Sequence, residues 1–318
     1  MKKQYDILYP IGAGSQWNDA ELRYSLRAIE QNLKGYRNIF IVGRCPDFID
    51  KSKVIHIPAD DPLNSNADGN ISLKVLKACQ NERLSDDFLF INDDHIINKS
   101  MRISDIGYYH KGNFADFPES FWNTELHRRR LKRTFEILKE RGLSTYHFDL
   151  HVPIIFNKQK FKQTIPSFDF TKGIGFTTKS IYANPVIPDT KKEFIGERKK
   201  KIFKFLKIDT IAKVFDKAKF ISYNDFGLNG ELKYFLAKRY PERSQYELYD
   251  KEKEPSEIIR EYLNTASIPM IGKEYAAGID LFRKHGRNSN LLMMFQRKHS
   301  RRLEEKLIYK LQLLSERY

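Results

Sequence analysis

With 318 residues, 41% of them hydrophobic, the chain can bury the core of one large domain or two smaller ones, which excludes a disordered or peptide-like protein. Lysine and arginine number 56 against 41 acidic residues, and the resulting charge of +15 calls for acidic partners: nucleic acid, anionic lipid, or phosphorylated and uronic sugars. No apolar run approaches a membrane-spanning helix, and Cys45 and Cys79 keep no metal-ligand spacing, which fits a reducing compartment. Met1-Lys2-Lys3 is followed by Gln4-Tyr5-Asp6 where a signal peptide would turn apolar, so the expected location is the cytoplasm, with peripheral contact to an anionic membrane open to the basic stretches.

Tyr5 to Ile11 alternates and then runs apolar, and Gly12-Ala-Gly-Ser15 breaks it, which predicts a strand and a glycine-containing loop. Gly12 and Gly14 lack the third glycine of a dinucleotide fingerprint. Asn18 or Asp19 can cap a helix carrying Leu22, Leu26, Ile29 and Leu33, stopped by Gly35. Short strands follow at Asn38 to Gly43 and Lys53 to Pro58, where His56 reads as a strand-face residue. A polar loop from Asp60 to Gly69 leads into a helix from Ile71 to Cys79. This alternation favours a mostly parallel sheet.

Phe88 to Asn98 contains the polar cluster Asn92-Asp93-Asp94-His95 between apolar flanks. Adjacent carboxylates at the end of a buried strand repel unless a cation joins them, and such strand ends are where α/β sheets bind ligands. The alternative is an acidic turn. The block from Phe114 to Gly142 is aromatic at first and then basic and helical, and its helix should direct Leu126, Leu131, Phe135 and Leu138 inward, and Arg128 to Arg130 outward. Phe148 to Asn157 predicts a further strand with Asp149 and His151 on one face, suited to acid–base work or a metal. Lys191 to Lys207 reads as a flexible or membrane-facing insertion, Phe220 to Tyr223 as a strand, Gly230 to Arg239 as a helix, and residues 251–318 as a helical extension after a 1–250 domain.

Asp19-Ala-Glu-Leu-Arg-Tyr-Ser-Leu-Arg-Ala-Ile-Glu30, Ile39 to Val42 and Leu89-Phe-Ile-Asn-Asp-Asp94 resemble the core of the Stealth-type sugar-phosphate transferases, a family that includes bacterial capsular polysaccharide phosphotransferases. Tyr5-Asp-Ile-Leu-Tyr9 is similar to that family's opening strand and His151-Val-Pro153 to its later His-Met-Pro element. Ser222 to Asp225 and Pro241 to Glu247 resemble endings found in nucleotide-sugar glycosyltransferases. The match covers roughly residues 5 to 185. Where the family continues its first strand with an acidic or amide position, this chain has Pro10 to Ser15. Lys179 stands nearest to an arginine expected downstream.

The resemblance implies a GT-A-like, Rossmann-like mixed sheet with flanking helices, and metal-dependent transfer of a sugar or a sugar-1-phosphate from a nucleotide-sugar donor to a glycan acceptor. Asp6, Gly12, Gly14, Ser15, Glu21 and Arg23 would contact the nucleotide. Asp94, with Asp93 and Asn92, would hold Mn²⁺ or Mg²⁺. His151 would be base or second ligand, oriented by Asp149, while Lys179, Arg128 and Arg129 would clamp phosphate. A different class of reading is a basic nucleic-acid- or anionic-membrane-binding protein on a transferase-like scaffold. No RNA-binding, helix-turn-helix or zinc-finger signature supports a specific nucleic acid. A metal-dependent phosphoesterase built on Asn92 to His95 is a third reading.

Overall fold

Tyr5–Ile11 (β1) sends Tyr5, Ile7, Tyr9 and Ile11 to one face and Leu8 to the other, and this period-two split sets the layers of the molecule's larger unit. The computed structural model describes residues 3–248 apart from 14, 16, 18, 123, 124, 225, 226 and 229. Gly14, Asn18, Asp225 and the C-terminal extension with its basic tail lie outside the described residues. After β1 come α1 (Ala20–Asn32), β2 (Ile39–Gly43), β3 (Ile55–Ile57), α2 (Ala67–Ala78), β4 (Asp87–Phe90) and β5 (His95–Ile97). They are followed by α3 (Leu126–Glu140), β6 (Ile154–Asn157), α4 (Lys158–Thr164), α5 (Thr178–Val186), β7 (Lys199–Ile202), α6 (Ile208–Lys217), β8 (Phe220–Tyr223) and α7 (Gly230–Arg239).

Five strands form the central sheet in the order β3-β2-β1-β4-β6. The first four are parallel and β6 runs antiparallel to β4, so the sheet is mixed and mostly parallel, as the sequence predicts. Leu22, Leu26 and Ile29 of α1 cover the face that carries Ile7, Ile41, Leu89 and Ile155. Val75 of α2 and Ile181 of α5 cover the face that carries Leu8, Phe40, Phe90 and Phe156. Each of these fully buried side chains contributes roughly 1.5–3 kcal/mol, which makes the two-sided burial of the sheet the main stabilising term. Gly43 closes β2 at φ +108°, where a Cβ would lie 2.1 Å from the Ile11 carbonyl oxygen, so only glycine lets the two strand ends run side by side.

The chain moves from β1 outward to β2 and β3, then returns to place β4 on β1's other side. Connections therefore diverge at the carboxyl ends of β1 and β4, and a crevice opens there. The chain divides into two compact units. The first holds this sheet. The second includes, among the described residues, Ile202–Ala212 and Tyr223–Pro241. Within the second unit Leu232 and Leu236 of α7 are buried, and the Asn224 amide donates to the Ile202 carbonyl.

Three local expectations are corrected. The strand expected from Phe148 begins only at Ile154, because α5 captures the preceding backbone through its side chains. The basic stretch from Lys191 is not an insertion. Lys192–Phe194 pairs with Tyr108–His110, and β7 joins β8 and β5 in a three-stranded sheet. On α3, Leu126 is 42% exposed in the first turn while Arg130 is buried, its guanidinium taken by Asp68 and the carbonyls of Ser65 and Ile174.

Candidate active site

β4 ends at Phe90, and Asn92 to Asp94 turn across the mouth of the crevice before β5 begins at His95. Asp94, His95 and His151 each offer a ligand atom, and these atoms lie within 4.8 Å of one another. His151 donates from Nδ1 to Asp94 Oδ2 at 3.0 Å and accepts at Nε2 from Lys201 Nζ at 3.1 Å. His95 Nε2 is 3.4 Å from Asp94 Oδ1. His95 is 1% exposed, and neither ring nitrogen has a hydrogen-bond partner. Burial holds its pKa well below the ordinary value, so it is a neutral imidazole with a free lone pair.

The two aspartates have opposite fates. Burial, with Asp94 and Glu21 nearby, pushes Asp93 up to about 8. Burial works against ionisation of Asp94 too, but the His151 hydrogen bond and the Lys201 charge hold it well below the usual carboxylate range. Asp94 is therefore the ionised ligand. Asp93 lies outside the three-ligand cluster and accepts the Asp94 amide at 3.1 Å. Asn92 lines the adjoining cleft, and its buried Oδ1 has no hydrogen-bond partner.

Lys199 and Lys201 are two apart on β7 and share a face. Burial, then Lys201 and Lys179, lower Lys199 to about 7, and burial lowers Lys201 as well. Lys199 and Lys201 thus crowd the ionised Asp94 from β7, an arrangement that an anion would relieve. Lys179 is not free to clamp phosphate as predicted. Its Nζ donates to the carbonyls of Leu150 and Val152, 2.7 Å each, and fixes the segment that carries His151.

Beside this cluster lies a cleft of about 180 Å³, lined by Asp68, His127, Asp149, His151 and Lys179 among others. Asp149 does not orient His151. Its carboxylate accepts from the Ser180 hydroxyl and, at 3.3 Å each, the amides of Lys179 and Ser180, so it caps α5. Asp68 pairs with Arg130 at 2.8 Å, and burial together with Asp149 pushes it up to about 6.

The other expected residues are dispersed. Asp6 sits at the amino end of β1, closed in by Arg37, the Asn38 amide and the Ser85 amide, and is not brought to the crevice. Arg23 turns to Glu247 at 2.5 Å, where Arg27 also donates. Arg128 stacks on Phe121 at 3.8 Å, and Arg129 is exposed. Ser15 donates to Glu21 at 2.8 Å and accepts the Asp19 amide at 2.8 Å, ordering the loop after β1. Gly12 lies beside Asp61 and Lys74, which pair with each other.

Lys199, Lys201 and Asp68 join the site without having been expected there, and His95 takes a ligand position beside Asp94. His95 stands next to Asp94 in the motif itself, and Lys199 and Lys201 alternate at strand period before Ile202. Both signals were present in the sequence.

No protein-family model and no curated protein matches the chain. Solved structures do resemble it. Mouse xyloside xylosyltransferase 1 in its apo form superposes with a TM-score of 0.37 at 9% identity, covering 70% of this chain and 98% of that one. The galactosyltransferase LgtC, in complex with donor and acceptor sugar analogs, gives 0.40 at 11%, covering 76% and 98%. The bifunctional glycosyltransferase WbbM gives 0.38 at 11%, covering 70% of this chain and 46% of its own.

Proposed function

We propose that the chain is a GT-A-type transferase that moves a sugar or sugar-1-phosphate from a nucleotide-sugar donor to a glycan acceptor. The observation that carries this reading is the convergence of Asp94, His95 and His151 with Lys199 and Lys201 at the crevice beside β1 and β4. One carboxylate and two imidazoles, one of them buried with orphaned nitrogens, fit a divalent cation. The imidazoles favour Mn²⁺ over Mg²⁺. Such a cation would neutralise charge on the donor's leaving phosphate.

The protein's own residues do the rest by position and charge. Lys199 and Lys201 receive the diphosphate. Ser15 and Glu21, on the ordered loop and first turn after β1, face the nucleoside side. The acceptor enters the cleft walled by Asp68 and His127. Asp68, poised at about 6, is suited in pKa to accept the proton of the acceptor hydroxyl. His151 has both ring nitrogens engaged, so it is no free base, and as a ligand it would exchange its bond to Asp94 or to Lys201 for the cation.

The lysines that suggested a nucleic-acid- or membrane-binding protein face Asp94 and His151, so the charge of this stretch serves a pocket. A thermal-shift screen with UDP-, GDP-, CMP- and ADP-sugars, with and without Mn²⁺, tests the reading. One donor should stabilise the wild type only with metal, and Asp94→Asn should abolish the shift. No shift with any donor, beside a shift with single-stranded RNA or anionic vesicles, would overturn it. Product masses would separate sugar transfer from sugar-phosphate transfer, and free phosphate without an acceptor would indicate a phosphoesterase.

A further inference from the structure

A second recess, of about 540 Å³ against about 180 Å³ for the cleft, opens at the amino end of β1. β1 is 7 residues long, so its two ends are separated by roughly 20 Å at about 3.3 Å per residue. Four cationic side chains, Lys3, Lys34, Arg37 and Arg102, line the recess, with Tyr5 and Tyr36 between them, and no carboxylate is among its lining residues.

Two of these cations face each other by construction. Leu33–Lys34 pairs in parallel with Met101–Arg102, and the register sets Lys34 opposite Arg102. Like charges at paired positions repel, and neither side chain has an ion-pair partner among the described residues. Asp105, in the adjoining turn, is engaged by the Ser104 hydroxyl at 3.0 Å and the Arg102 amide at 3.4 Å. Arg37 is held rigid, donating to Asp6 at 3.0 and 2.7 Å, to the Arg83 carbonyl at 2.6 Å and to Gln4 at 3.3 Å. Lys3 pairs with Asp87 yet stays 61% exposed. Gly35 lines the recess at φ +92°, a backbone conformation that favours glycine.

We propose that this recess is a second binding site, for an acidic oligosaccharide bearing carboxylate, phosphate or sulfate groups. Lys34 and Arg102 supply charge that the fold itself leaves uncompensated. Arg37, its charge already paired with Asp6, gives the recess a fixed wall rather than free charge. Half-buried Tyr36 offers apolar ring surface of the kind that meets sugar rings, while Tyr5 forms the floor from the core. The volume falls in the range of small-ligand pockets, about 300–1,000 Å³, and a concave pocket suits a short saccharide better than a duplex or a bilayer. The proposal stands apart from the transferase reading, because it needs no donor, no metal and no residue of the cleft.

Calorimetric titration of the full chain with a size-defined heparin tetrasaccharide, and with maltotetraose as the neutral control, tests it at low and moderate salt. The wild type should bind the sulfated probe and not the neutral one, and binding should weaken as salt rises. Lys34→Ala should weaken binding while holding or raising Tm, since a repulsion is removed. The double variant Lys34→Glu/Arg102→Glu should lose at least about tenfold in affinity. Equal binding of the neutral sugar, no binding of the heparin probe, or unchanged affinity in both variants would overturn the proposal. So would tighter binding of duplex RNA or phosphatidylserine vesicles through Lys34 and Arg102.

Discussion

Replacing Lys199 by methionine should make the protein more stable and bind its donor less well. Lys199 is lowered to about 7 by burial and by the charges of Lys201 and Lys179. A folded pKa below the unfolded value of 10.5 means that the unfolded chain binds more protons between those limits. Wild-type stability should therefore rise with pH from about 7 toward 10.5, as the folded state sheds a proton it holds at a cost. Lys199→Met keeps most of the stem's packing, removes the buried charge and should flatten that rise, with a higher Tm at pH 7. The same ammonium is proposed to meet the donor diphosphate. A hydrogen bond to a charged group contributes about 1.5–3 kcal/mol, so affinity for the nucleoside diphosphate should fall roughly 10- to 150-fold. Thermal unfolding from pH 6.5 to 9.5 and calorimetric titration of the nucleotide measure both effects on one variant. A lower Tm with unchanged nucleotide affinity would refute the reasoning, since it would make Lys199 a structural cation.

Glu247→Gln should cost about 3–5 kcal/mol in urea unfolding at pH 7, because it leaves the buried Arg23 and Arg27 facing a neutral group. Arg27 and Arg23, against the opposing effect of burial, lower the Glu247 pKa, so its stabilisation should be complete above the unfolded value of 4.5 and be lost as pH falls through the folded one. Asp6→Asn should cost about 3 kcal/mol of stability and leave nucleotide affinity unchanged, because Asp6 closes the amino end of β1 with Arg37, Asn38 and Ser85. Lys179→Met should release the carbonyls of Leu150 and Val152 and lower Mn²⁺ affinity at least about tenfold through His151, while direct phosphate affinity should change little.

The parallel sheet was legible because β1, β2 and β4 are short apolar runs separated by helical periods, and burial on both faces demands that pattern. Asp94 was legible because carboxylates interrupting a buried strand need a reason. Its partnership with His95 and His151 was less so, since it depends on how the turn after β4 folds. Period two placed Asp149 and His151 on one face, but α5 draws Asp149 to its amino end and the strand starts three residues after His151. Charge alone could not tell Arg130, which is buried through Asp68, from its exposed neighbour Arg129. Nor could it tell the inward Lys199 and Lys201 from a solvated run. These distinctions rest on contacts between segments 50 or more positions apart.

The central claim is that Asp94, His95 and His151 hold a divalent cation that shares a nucleoside diphosphate with Lys199 and Lys201. Electron paramagnetic resonance titration of Mn²⁺, with and without the stabilising nucleotide, tests it most directly in the wild type, Asp94→Asn and His95→Gln. The account predicts a wild-type Mn²⁺ site that tightens when nucleotide is added, and its loss in both variants while their circular dichroism is unchanged. Equal Mn²⁺ binding in all three proteins, or wild-type binding indifferent to the nucleotide, would contradict it.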